Sequence, residues 1–110
     1  MNNMIVTNYR VKASLTSSNP PVGVDTLILT GAENSTVIKS LELISGTESS
    51  IAYIFRKDGN GNTYGSIKVD LKANNYIMLW EGFVAIPAGH TVYLNADSNQ
   101  VEAVASVVEL

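Results

Sequence analysis

From Thr26 to Leu110 the sequence is cut into short apolar or alternating runs, each closed by a cluster of Gly, Pro, Asn, Asp or Ser. This punctuation is the strongest constraint on the fold, because runs of strand length between turn residues leave no room for a helix. No segment holds a 3.6-residue apolar period convincingly over ten residues or more. The spacing predicts an all-β chain: a single antiparallel β-sandwich, jelly-roll-like, of seven or eight strands.

The runs specify faces as well as strands. TLILTG is a short apolar run ended by Gly31, and AENS turns the chain into Thr36 to Ile44, where Val37, Leu41 and Leu43 are expected on one face with Lys39 interrupting it. After SGTESS, Ile51, Tyr53 and Phe55 alternate with Ala52, Ile54 and Arg56, so both faces are covered, as in a central strand. Asp58-Gly59-Asn60-Gly61-Asn62 supplies the positive-φ residues of a hairpin connection. Beyond it, Ile67, Val69 and Leu71 are expected inward, with Lys68, Asp70 and Lys72 outward.

Asn74 to Asp97 holds the only Trp and the only His, and reads as two strands joined by the Pro87-Ala88-Gly89 turn. Glu81-Gly82 inside the first apolar run predicts a bulge or bend. In the second, Val92, Leu94 and Ala96 share a face. Val101, Val104, Ala105 and Val108 also fit a helix face, but the density of valine decides for a closing strand. The expected core is Leu41, Leu43, Ile54, Phe55, Ile67, Val69, Leu71, Leu79, Val92 and Leu94.

Residues 1–24 stand apart as an arm and linker before a sandwich domain at 25–110. Met1 to Pro21 is polar, ends in SSNPPVG, and carries at most one short strand, Tyr9 to Leu15. It reads as a frayed end or first edge strand, or alternatively as an arm reaching a neighbouring subunit.

With 110 residues there is material for one core, and a charged fraction of 15% leaves the surface to Ser, Thr, Asn and Gly. A net charge of −3, with no basic cluster longer than Arg56-Lys57, argues against nucleic acid as a partner. The absence of cysteine removes disulfides, thiolate zinc sites and cysteine nucleophiles together. No run approaches the roughly 18 apolar residues of a membrane span, and MNNMIVTNYRVK lacks a secretory pattern, which predicts synthesis in a cytoplasm and no membrane partner. Asn34-Ser35-Thr36 fits a glycosylation sequon but reads as a turn.

Candidate chemistry is sparse. DGNGN resembles the start of a calcium loop, yet Thr63 stands where the turn glycine belongs and Val69 where the bidentate acid belongs. His90 has no second His and no Cys to pair with; a Ser-His-acid triad is formally possible, but no nucleophile elbow or phosphate loop accompanies it. Tyr76, Trp80 and Phe83 are a candidate aromatic platform for a sugar, against the commoner use of a Trp in the core. No residue is assigned a catalytic, cofactor-binding or metal-binding role, no cofactor is expected, and the chain is read as a non-enzyme.

The order TLILTG, TVIKSLELISG, SIAYIFRKDGNGN, IKVDLKANNYIMLWEG, FVAIPAGHTVYLNADSN and VEAVASVVEL resembles small β-structured virion proteins of bacteriophages, although DSNQ replaces their more acidic or glycine-rich turn before the last strand. The likeness spans Thr26 to Leu110 and consists of strand and turn patterns. It implies a non-enzymatic structural protein of a phage particle, made in the bacterial cytoplasm and carried in the virion. The expected role is an auxiliary (decoration or cement) capsid protein, a homo-oligomer that contacts the major capsid protein or other virion proteins. A neck, tail or fibre component and a host-surface carbohydrate-binding β-sandwich are the alternatives.

Overall fold

A computed structural model describes residues 12–18, 20–34 and 36–109. Eight strands account for its regular structure: β1 (Lys12–Ser18), β2 (Thr26–Thr30), β3 (Thr36–Ile44), β4 (Ser50–Lys57), β5 (Thr63–Leu71), β6 (Tyr76–Ile86), β7 (Thr91–Ala96) and β8 (Glu102–Glu109). They form two four-stranded sheets, ordered β1-β8-β3-β6 and β2-β7-β4-β5.

The topology follows from nested hairpins. β4 pairs with β5, β3 with β6, β2 with β7 and β1 with β8, all antiparallel, so the chain is one long hairpin whose tip is the Asp58–Asn62 turn. Two further antiparallel seams, β3 with β8 and β4 with β7, roll that hairpin into two sheets. This is the jelly roll, the expected architecture.

The sheets enclose one core containing Ile38, Leu41, Leu43, Ile54, Leu71, Ile86, Val92, Leu94, Val101 and the alanines Ala52, Ala96, Ala103 and Ala105. Alanines on β8, β4 and β7 let the sheets approach, while branched residues fill the spaces between them. Leu41, Leu43, Ile54, Val69, Leu71, Val92 and Leu94 are buried as expected, and Ile67 and Leu79 are half-buried against the same core. Lys68 and Asp70 are exposed, so the β5 register agrees with the sequence reading.

Two local expectations are corrected. Val37 does not share a face with Leu41: the register shifts between Ile38 and Ser40, so Lys39 sits in a bulge and Ile38 takes the inward place. Phe55 is buried as expected, although it stands on the outward face of β4, where Ala52 and Ile54 hold the inward places. The first strand, described over Lys12–Ser18, continues beyond the expected end at Leu15 and pairs along that length with β8, while residues 9–11 of the expected strand lie outside the described residues. One sheet therefore takes an edge strand from the segment read as an arm, of which residues 1–11 lie outside the described residues. The Pro87-Ala88-Gly89 turn joins two strands as expected, and it carries the chain from β6 in one sheet to β7 in the other.

That turn is locked by close approach. Gly89 has φ +79°, Gly31 donates its N–H to the His90 carbonyl at 2.8 Å, and a Cβ on Gly31 would collide with the Pro87 carbonyl oxygen. At the opposite end, buried Ser45 joins the 45–49 and 72–75 loops: its hydroxyl donates to the Lys72 carbonyl at 2.5 Å, and it accepts the Asn75 N–H at 2.9 Å.

Candidate functional site

The residues singled out in the sequence are dispersed by the fold. Asp58 is engaged by its own turn: the carboxylate accepts the N–H groups of Asn60 at 2.8 Å and Asn62 at 3.0 Å, and the Asn62 amide at 3.3 Å. These donors, the Asn62 N–H foremost, hold its pKa below the usual carboxylate range. Thr63 opens β5 and Val69 is buried in the core, so neither offers an oxygen to the loop in the manner of a calcium site. Among the described residues no three His, Cys, Asp or Glu side chains converge as metal ligands.

His90 is half-buried with its Nδ1 2.8 Å from the Tyr64 hydroxyl and the two rings edge to face. The Tyr64 phenol on this ring ties β5 to the 87–90 turn. The sequon threonine, Thr36, is buried and accepts the Ala32 N–H at 2.8 Å, while Ser35 lies outside the described residues.

The proposed aromatic platform on β6 is split by strand parity and a bulge. Trp80 opposes buried Leu41 and packs on the core, with the Arg56 guanidinium over its ring. Tyr76 is 61% exposed and Phe83 81% exposed, the latter beside Gly82, whose φ of +93° marks the expected bulge. Met78, also on this strand, is exposed as well. Among the described residues β6 pairs only with β3, so these three apolar side chains lie on an edge strand of their sheet.

A second aromatic group emerges on the outward face of the β2-β7-β4-β5 sheet. Phe55 of β4 opposes Tyr93 of β7, and their rings stack 5.5 Å apart at an interplanar angle of 7°. Tyr53, two residues from Phe55, stands on the same face and opposes Asn95, whose amide donates to Asp25 at 2.7 Å. Lys57 holds its ammonium 4.9 Å from the Tyr93 ring centroid. Asp25, Tyr53, Phe55, Lys57, Ser66 and Asn95, with Thr63, line an open depression of about 380 Å³. Outward aromatics on β4 are visible in its alternation, but their meeting with Tyr93 and Asn95 depends on the β4-β7 seam, for which the sequence carries no local signal.

No family model matches the chain, and no match was found among curated proteins or solved structures. The class that the fold defines is an eight-stranded jelly-roll β-sandwich.

Proposed function

We propose that the chain is a non-enzymatic structural protein of a bacteriophage particle, an auxiliary capsid protein that stabilises the shell through protein–protein contacts. The observation that carries this reading is the open edge strand β6, where Tyr76, Met78 and Phe83 present apolar surface. Large exposed apolar groups grouped on one element are the mark of a surface that another protein covers. The bulge at Gly82 interrupts the edge ladder, which favours docking by side chains over simple addition of a continuous strand.

Other features fit the same role. Turns at both ends of the sandwich are fastened by Gly31 and Ser45, giving a stiff unit suited to repetition, and a low-charge surface permits packing against neighbours. In a symmetric shell each weak contact is multiplied by the number of copies. The strand and turn resemblance to phage virion proteins points in the same direction. Mass spectrometry of purified particles, followed by localisation in particle images, tests the assignment. The chain is expected on the shell at fixed stoichiometry; density at the neck, tail or fibre would move it to that structure, and absence from particles would contradict the reading.

A further inference from the structure

The outward depression on the β2-β7-β4-β5 sheet has the composition of a ligand site. Its floor is Phe55, which is only 8% exposed although it faces away from the core, because the parallel Tyr93 ring lies against it. Tyr53, 44% exposed, forms an aromatic wall with no hydrogen-bond partner among the described residues. Along one side the Asn95 amide is oriented by Asp25 Oδ1, and among the described residues Asp25 Oδ2 and the Asn95 side-chain oxygen have no partner. Thr63, Ser66 and Lys57 supply hydroxyl and ammonium groups on the other side.

Apolar ring faces beside a fixed carboxylate-amide pair match a molecule with one C–H face and a rim of hydroxyl groups. The Tyr53 ring accepts the C–H face, and the carboxylate, amide and hydroxyl groups exchange hydrogen bonds with the rim. The volume of about 380 Å³ falls at the small end of ligand sites, which run from about 300 to 1,000 Å³. The lining holds one carboxylate, Asp25, and one ammonium, Lys57, so their formal charges cancel and no charged ligand is favoured. We infer that this depression binds a neutral pyranose sugar, with the ring stacked on Tyr53 above the Phe55 floor and its hydroxyls held by Asp25 and Asn95.

This site goes beyond the structural role and stands on the sheet opposite Phe83, so the two readings fail independently. The test is saturation-transfer NMR on the full chain with methyl glycosides of neutral hexoses, pentoses and N-acetylhexosamines and their disaccharides, beside sialic and glucuronic acid. At least one neutral glycoside is expected to bind saturably through its C–H face. Tyr53→Ala and Asp25→Asn are each expected to weaken it at least about tenfold with the melting midpoint retained. No binding across the neutral panel, binding of the acidic sugars alone, or affinity unchanged in both variants would overturn the inference.

Discussion

The guanidinium carbon of Arg56 lies 5.4 Å from the centroid of the Trp80 ring, and this contact joins β4 of one sheet to β6 of the other. The same guanidinium carbon is 4.9 Å from the Tyr64 ring centroid, while Arg56 Nε is buried without a hydrogen-bond partner among the described residues. The half-buried guanidinium thus meets two aromatic rings where its Nε has no acceptor among the described residues. A double-mutant cycle with Arg56→Met and Trp80→Leu is expected to give a coupling of about 0.5 to 2 kcal/mol by denaturant unfolding. A coupling near zero would show that the rings and the cation are merely neighbours.

Gly31 is fixed by the backbone it meets. An added Cβ would fall on the Pro87 carbonyl oxygen and 2.8 Å from that of Ile86, and backbone cannot retreat without moving the turn between β6 and β7. Gly31→Ala is expected to cost about 1 to 3 kcal/mol, in the range of overpacked sites. Gly59→Ala, where nothing approaches, serves as the control and is expected to leave the melting midpoint nearly unchanged.

Leu94 and Leu41 occupy the sealed centre, each wholly buried. Either one replaced by Ala should lose about 2 to 5 kcal/mol, read as a lower denaturant midpoint with the slope preserved.

Acid should act through two turn carboxylates. The Ser50 hydroxyl, at 2.6 Å, and the Ile51 N–H, at 2.9 Å, hold the pKa of Asp97 below its usual range, as the Asn62 and Asn60 N–H groups do for Asp58. A carboxyl depressed in the folded state contributes stability that is complete above its unfolded value and is lost as pH falls through the folded value. The melting midpoint is therefore expected to hold near neutrality and to fall below about pH 4. Asp58→Asn with Asp97→Asn should flatten that acid limb, and an unchanged limb would assign acid sensitivity to other groups.

The positions of strands and turns are legible in this chain because Gly, Pro, Asn and Asp stand between nearly all of them. Thr36–Ile44 and Thr91–Ala96 have the bounds that the residue pattern suggests. Facing is legible only where the ladder is regular. On β5 the parity of Ile67, Val69 and Leu71 carries through, whereas on β3 the bulge at Lys39 reverses Val37. Sheet order is not written locally at all, and so the aromatic group of Phe55 and Tyr93 emerges only from the β4-β7 seam. The first strand is hidden for another reason: as an edge strand paired, among the described residues, only to β8, Lys12–Ser18 has no need of the dense apolar alternation that marks the central strands. Deleting residues 1–19 should thus uncover the β8 ladder, lower the melting midpoint and promote association, and an unaltered midpoint would show that β1 adds little to folding.

The most direct measurement of the proposed role is co-sedimentation of the purified chain with phage shells stripped of it, using wild type beside a Phe83→Ser, Tyr76→Ser variant. Both side chains are largely exposed, so the variant should melt like the wild type. The account predicts saturable binding of wild type and a rise in the temperature at which the shells rupture, with both effects lost in the variant. Wild type left in the supernatant at saturating concentration, or a variant that binds equally well, would contradict it.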